Sequence, residues 1–115
     1  GTLHKPSEAF QKTLQHYQTL GQFRQKHPSV GAGKHQLISK EPLLFLRQLS
    51  HSQQNIDDLV LIGLDIEAKE IEINIKDAFG DVSSVNDYYS GQKLSLKDGR
   101  VKIKPKNGII LLEKE

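Results

Sequence analysis

Five histidines and several closely spaced carboxylates are the residues in this chain that could do chemistry. The histidines are His4, His16, His27, His35 and His51. A helical metal site needs two ligands at i, i+4 so that both rings share a face. No pair of these histidines has that spacing. Acid–base or glycosidic chemistry needs paired carboxyl groups. The candidates are Asp57-Asp58, Glu70/Glu72, Asp77/Asp81 and Asp87. Asp57-Asp58 opens a strand after a polar loop, and Glu70 and Glu72 alternate with isoleucines. Solvated strand faces and turns account for these carboxylates, and the histidines read as scattered surface residues. No Gly-x-Ser-x-Gly or Ser-His-Asp order stands out, and the absence of cysteine removes thiolate chemistry. The Gly31-Ala32-Gly33 corner lacks the strand before and helix after that a phosphate loop requires. The expectation is no catalytic residue, no metal ligand and no cofactor.

The elements that would position any site come in two kinds. Ser7 can cap a helix with Glu8 in its first turn, after a lead over residues 1–6 that reads as flexible. Phe10, Leu14, Tyr17 and Leu20 recur at helical spacing, and Phe23 extends the stripe. Pro28 disfavours helical geometry at His27, so the helix should end near Lys26, with Gly31 and Gly33 turning a corner.

From Lys34 onward the period is two. Candidate strands are His35–Ser39, Leu43–Leu49, Leu59–Asp65, Glu70–Ile75, Val85–Tyr88, Gln92–Leu96, Arg100–Ile103 and Gly108–Glu113. The run LVLIGL is continuously apolar and suits a central strand covered on both faces. Ser90-Gly91, Asp98-Gly99 and Asn107-Gly108 are turn signals. The predicted fold is an all-β antiparallel sandwich, Greek-key-like, of about eight strands, preceded by one N-terminal α-helix. Residues 1–33 form the lead and helix, and residues 34–115 form the sandwich.

Composition narrows the partners. With 115 residues the chain is one domain's length. A net charge of +2 predicts no strong grip on nucleic acid. Lys97, Arg100, Lys102, Lys104 and Lys106 read as the wet face of a strand. No apolar run approaches the roughly 18 residues of a membrane span. Tyr88 and Tyr89 are the best candidates for stacking on a sugar, although neighbouring strand residues point to opposite faces. There is no tryptophan to build a wider platform.

Four segments in order resemble the end of an alpha-amylase superfamily glycoside hydrolase. YQTLGQFRQKHPSVGAGKHQLI is similar to the last helix of that family's catalytic barrel and the first strand of its C-terminal domain, with Tyr17, Leu20, Arg24, His27, Pro28 and Gly33 matching. PLLFLRQLS resembles the second strand, ending in Arg before a polar loop. DDLVLIGLDI resembles a strand that the family usually ends in Asn, where this chain has Asp65. NDYYSGQKLSLKDGRVKIKPKNGIILLEK resembles the closing strands.

The resemblance implies a non-catalytic C-terminal β-sandwich domain supporting an upstream (β/α)8 barrel of the same parent chain. Phe10, Leu14, Tyr17, Leu20 and Phe23 would be the barrel contact. The parent would be a retaining hydrolase acting on α-glucans, with its carboxylates on barrel strands outside this chain, so the chain alone is expected to be inactive. A periplasmic or secreted parent is the family's habit, while the residues fix no compartment. Two other readings stay open: an independent carbohydrate-binding module using Tyr88 or Tyr89, and a scaffold sandwich that pairs or dimerises through its exposed helix.

Overall fold

The structure is a computed structural model that describes residues 7–115. The lead over residues 1–6, with His4, lies outside them. Helix α1 spans Glu8–Lys26 and helix α2 spans Pro28–Ala32. Eight strands follow: β1 (Lys34–Lys40), β2 (Leu43–His51), β3 (Ile56–Leu64), β4 (Ile71–Asn74), β5 (Ser84–Asp87), β6 (Gln92–Ser95), β7 (Arg100–Ile103) and β8 (Ile110–Lys114). A short helix α3 (Lys76–Phe79) lies between β4 and β5.

All pairings are antiparallel, and the strands form two sheets. The larger runs β1-β2-β3-β8-β5-β6, and the smaller is the pair β4-β7. Between them lies a core that includes Leu44, Leu46, Leu61, Ile73, Ile75, Val85, Val101, Ile103, Ile110 and Leu112. The other face of the large sheet carries a second cluster of Phe23, Val60, Ile62, Tyr89 and Leu111. This explains the unbroken LVLIGL run. Side chains alternate along a strand, so Leu61 faces the sandwich core while Val60 and Ile62 face the helices. The all-β sandwich with one long N-terminal helix is the observed fold.

Local signals acted as the sequence predicts at the start of α1. The Ser7 hydroxyl accepts a 3.1 Å hydrogen bond from the Phe10 N–H. The helix ends at Lys26, and His27 is extended before Pro28. Two details differ from expectation. The predicted glycine corner is a short helix, because Pro28 at its first turn is preorganised for helical φ. Gly33 ends it for a steric reason: a Cβ there would meet Ser29 O at 2.4 Å and Gln48 O at 2.6 Å. Helix α3 has no signal in the sequence, because its four residues are too few to show a period.

The larger correction concerns the apolar stripe on α1. Phe23 is 2% exposed, whereas Phe10, Leu14 and Tyr17 are 56%, 48% and 66% exposed. The cause is helical geometry. An α-helix turns about 100° per residue, so each three-residue step rotates a side chain back by about 60°. Tyr17, Leu20 and Phe23 therefore drift round the helix. Phe23 faces the sheet with His16 and Thr19, while Phe10, Leu14 and Tyr17 lie on roughly the opposite side. The five residues make two faces.

Candidate docking face and its anchor

The joint between helices and sheet is built on His27. Its Nδ1 lies 2.7 Å from Asp58 Oδ1 on β3, and its Nε2 lies 2.7 Å from Glu113 Oε1 on β8. Strand register explains the meeting. Val60 pairs with Glu113 on the neighbouring strand, and Asp58 lies two residues before Val60, on the same face. Asn86, opposite Glu113 on β5, donates to Glu113 Oε2 at 2.8 Å. The Lys26 ammonium reaches Glu113 at 2.9 Å. The Ser29 N–H donates to Asp58 Oδ2 at 3.0 Å, and Arg47 Nε donates to Ser29 O at 3.0 Å. The helical segment is thereby tied to β2, β3 and β8 of the large sheet, while Asn86 of β5 steadies Glu113.

Burial pushes the Asp58 carboxyl up, but the hydrogen bonds from Ser29 and His27 and the His27 charge outweigh it, so it lies below its ordinary 3.8. Burial also pushes Glu113 up. Hydrogen bonds from His27, Lys26 and Asn86, with the Lys26 charge, hold it below its ordinary 4.5. Both carboxylates are ionised at neutral pH, and each faces a ring nitrogen at hydrogen-bond distance. The Ser29 hydroxyl beside them is buried without a hydrogen-bond partner in good geometry.

This cluster corrects the reading of His27 and Asp58 as surface residues. His27 is 8% exposed and Glu113 is 3% exposed. The sequence carried no signal for the cluster, because its members lie 31 and 86 residues apart. The cluster resembles a catalytic His–carboxylate pair in composition but not in access. His27 fills the space between the carboxylates, and none of the three lines any of the five main recesses among the described residues. Its chemistry is that of a clamp.

Three of the other candidate carboxylates are also in structural use. Asp87 is fully buried, accepts a 2.9 Å hydrogen bond from the Leu111 N–H and holds the Ser90 hydroxyl. Glu72 pairs with Arg100 at 3.2 Å. Asp77 accepts from Asn74 Nδ2 at 3.1 Å. Among the described residues, no group of three or more His, Cys, Asp or Glu is placed to hold a metal ion. No described helix is long and apolar enough to cross a membrane.

The two tyrosines proposed for sugar stacking are both engaged. Tyr89 is 8% exposed, its ring meets His16 edge-on and its hydroxyl lies 2.6 Å from His16 Nδ1. Tyr88 is half-buried, tilted against Phe23, with Lys26 Nζ 5.4 Å from its ring centre. Burial of Tyr89 follows from its place beneath the sheet-facing side of α1, a contact invisible in the local sequence.

What remains open to a partner is the outer face of α1. Phe10, Leu14 and Tyr17 project there, and Gly21 adds a bare patch, with nothing within 4 Å of where its Cβ would be.

The fold and this joint define an antiparallel β-sandwich domain with a helix clamped to its larger sheet. No protein-family model and no curated protein sequence matches the chain. Among solved structures, the fold is similar to part of an Anoxybacillus alpha-amylase, described as giving insight into a new glycosyl hydrolase subclass. The TM-score is 0.61 at 20% identity, over 84% of this chain and 21% of that chain. The likeness is one of fold, and this chain spans about a fifth of that enzyme's length.

Proposed function

We propose that this chain is a non-catalytic C-terminal β-sandwich domain of an alpha-amylase-type glycoside hydrolase acting on α-glucans, and that it braces a (β/α)8 barrel of the same parent chain. The observation that carries this reading is the apolar outer face of α1, Phe10, Leu14 and Tyr17, which the chain's own sandwich leaves uncovered. Burying Phe or Leu contributes about 1.5–3 kcal/mol each, so three such side chains in a row mark a contact surface. The fold likeness to a fifth of an alpha-amylase supports a barrel as the occupant. Leu20 and Phe23 belong to the clamp side instead, packed on this chain's sheet.

The carboxylate geometry supports the non-catalytic part. A retaining glycosidase needs two carboxyl groups about 5–5.5 Å apart across an open sugar site. Asp58 and Glu113 are bridged by a buried histidine instead. The test is hydrolysis of soluble starch by the isolated chain, together with a triple substitution Phe10→Ser, Leu14→Ser, Tyr17→Ser in the full gene product. The isolated chain is expected to release no sugar, and the triple variant to lower the thermal midpoint of the full protein. Turnover by the chain that a single Asp or Glu substitution abolishes would overturn the reading. So would a triple variant as stable as its parent.

A further inference from the structure

A recess lies on the sheet-facing side of α1, away from the docking face. It has a volume of about 250 Å³ and is bounded by Lys12, His16 and Thr19 on the helix, by Tyr89 beyond β5, and by Lys106 and Asn107 in the turn before β8. No Asp or Glu lines it. The larger groove beside β6 and β7, about 620 Å³, differs in this respect, because Glu72 and Asp98 stand among its cations.

The floor of the recess is fixed. Tyr89 is buried, and its hydroxyl accepts a 3.0 Å hydrogen bond from Asn107 Nδ2 while meeting His16 Nδ1 at 2.6 Å. Asn107 is held in a left-handed turn at φ 52°. A neutral imidazole and a phenol together carry two polar hydrogens, and their mutual bond uses one. In either tautomer one N–H or O–H of the pair is left without a described acceptor. The Thr19 hydroxyl donates within the helix, to Gln15 O at 2.9 Å. The described ion pairs of lysine and arginine engage Lys26, Lys93 and Arg100, not Lys12 or Lys106. The recess thus combines two ammonium groups outside the described ion pairs with a His–Tyr pair holding one more polar hydrogen than its mutual bond uses, and an amide bonded to the buried Tyr89.

From this surplus of donors and positive charge, we propose that the recess is a binding site for a phosphate-type oxyanion, supplied as free phosphate or as a phosphomonoester. Lys12 and Lys106 supply the charge, and the Tyr89–His16–Asn107 cluster supplies directed donors. The site is independent of the docking face, so it stands or falls apart from the proposed function.

The test is titration of the chain with inorganic phosphate and with glycerol phosphate, followed by amide NMR shifts at constant ionic strength. Saturable shifts centred on His16, Tyr89 and Asn107 are expected. The double substitution Lys12→Gln, Lys106→Gln is expected to weaken binding by about tenfold or more, about 1.4 kcal/mol. Tighter binding of the ester than of phosphate would assign the ester as ligand, and equal binding would assign the free ion. Non-saturable shifts with both probes, or equal affinity in the double variant, would overturn the proposal. Unchanged shifts elsewhere in the variant spectrum would confirm that its fold is intact.

Discussion

His27 Nε2 meets Glu113 Oε1 at 2.7 Å across 86 residues of sequence. That bond, with its partner to Asp58, fastens the helical segment to the sheet beside the apolar contacts of Phe23. Removing one member of a buried ion cluster leaves the others uncompensated, which costs about 3–5 kcal/mol. His27→Ala is expected to lower stability by that amount in urea unfolding. Adding Asp58→Asn to His27→Ala should recover part of the loss, because one orphaned charge is then gone. A cost below about 1 kcal/mol would mean that the clamp contributes little.

The same cluster sets an acid limit. Asp58 and Glu113 titrate lower in the folded chain than their ordinary 3.8 and 4.5. Their contribution is therefore complete above those ordinary values and is lost as pH falls through the depressed folded ones. The urea midpoint should drop as pH is lowered from 6 to 3. An Asp58→Asn, Glu113→Gln variant should show a shallower slope over that range. Equal slopes would contradict the assignment.

Two neighbouring glycines should behave differently. At Gly33 a Cβ meets backbone oxygens at 2.4 and 2.6 Å, and backbone cannot move aside cheaply. Gly33→Ala should cost about 1–3 kcal/mol, the range for overpacking. At Gly31 the nearest contact is the Arg24 side chain at 3.6 Å, an ordinary distance, and the residue is helical. Gly31→Ala should be neutral or stabilising by up to about 1 kcal/mol. Thermal melts of the two variants decide this, and a reversed order would contradict the account.

Local patterns were legible because their physics is local. The cap at Ser7, the stop at His27-Pro28 and the alternation of eight strands all follow from neighbours in sequence. The left-handed φ of 52° at Asp65 is one that Asp tolerates better than bulkier residues. Asp87-Tyr88-Tyr89-Ser90-Gly91 is a turn whose Asp holds both Ser90 and the Leu111 backbone. The clamp was not legible, because sheet order brings β3 and β8 together and no spacing announces it. The split of the α1 stripe could have been read from its repeated three-residue steps, which drift round the helix. The Tyr89–His16 contact, 73 residues apart, could not.

The most direct test of the central claim is the coding sequence upstream of this chain in its gene. The account predicts several hundred codons of alternating strand and helix patterns, with Asp and Glu at strand ends, leading into the Phe10–Tyr17 face. A start codon directly upstream would contradict it, because the outer face of α1 would then have no barrel of its own chain to meet.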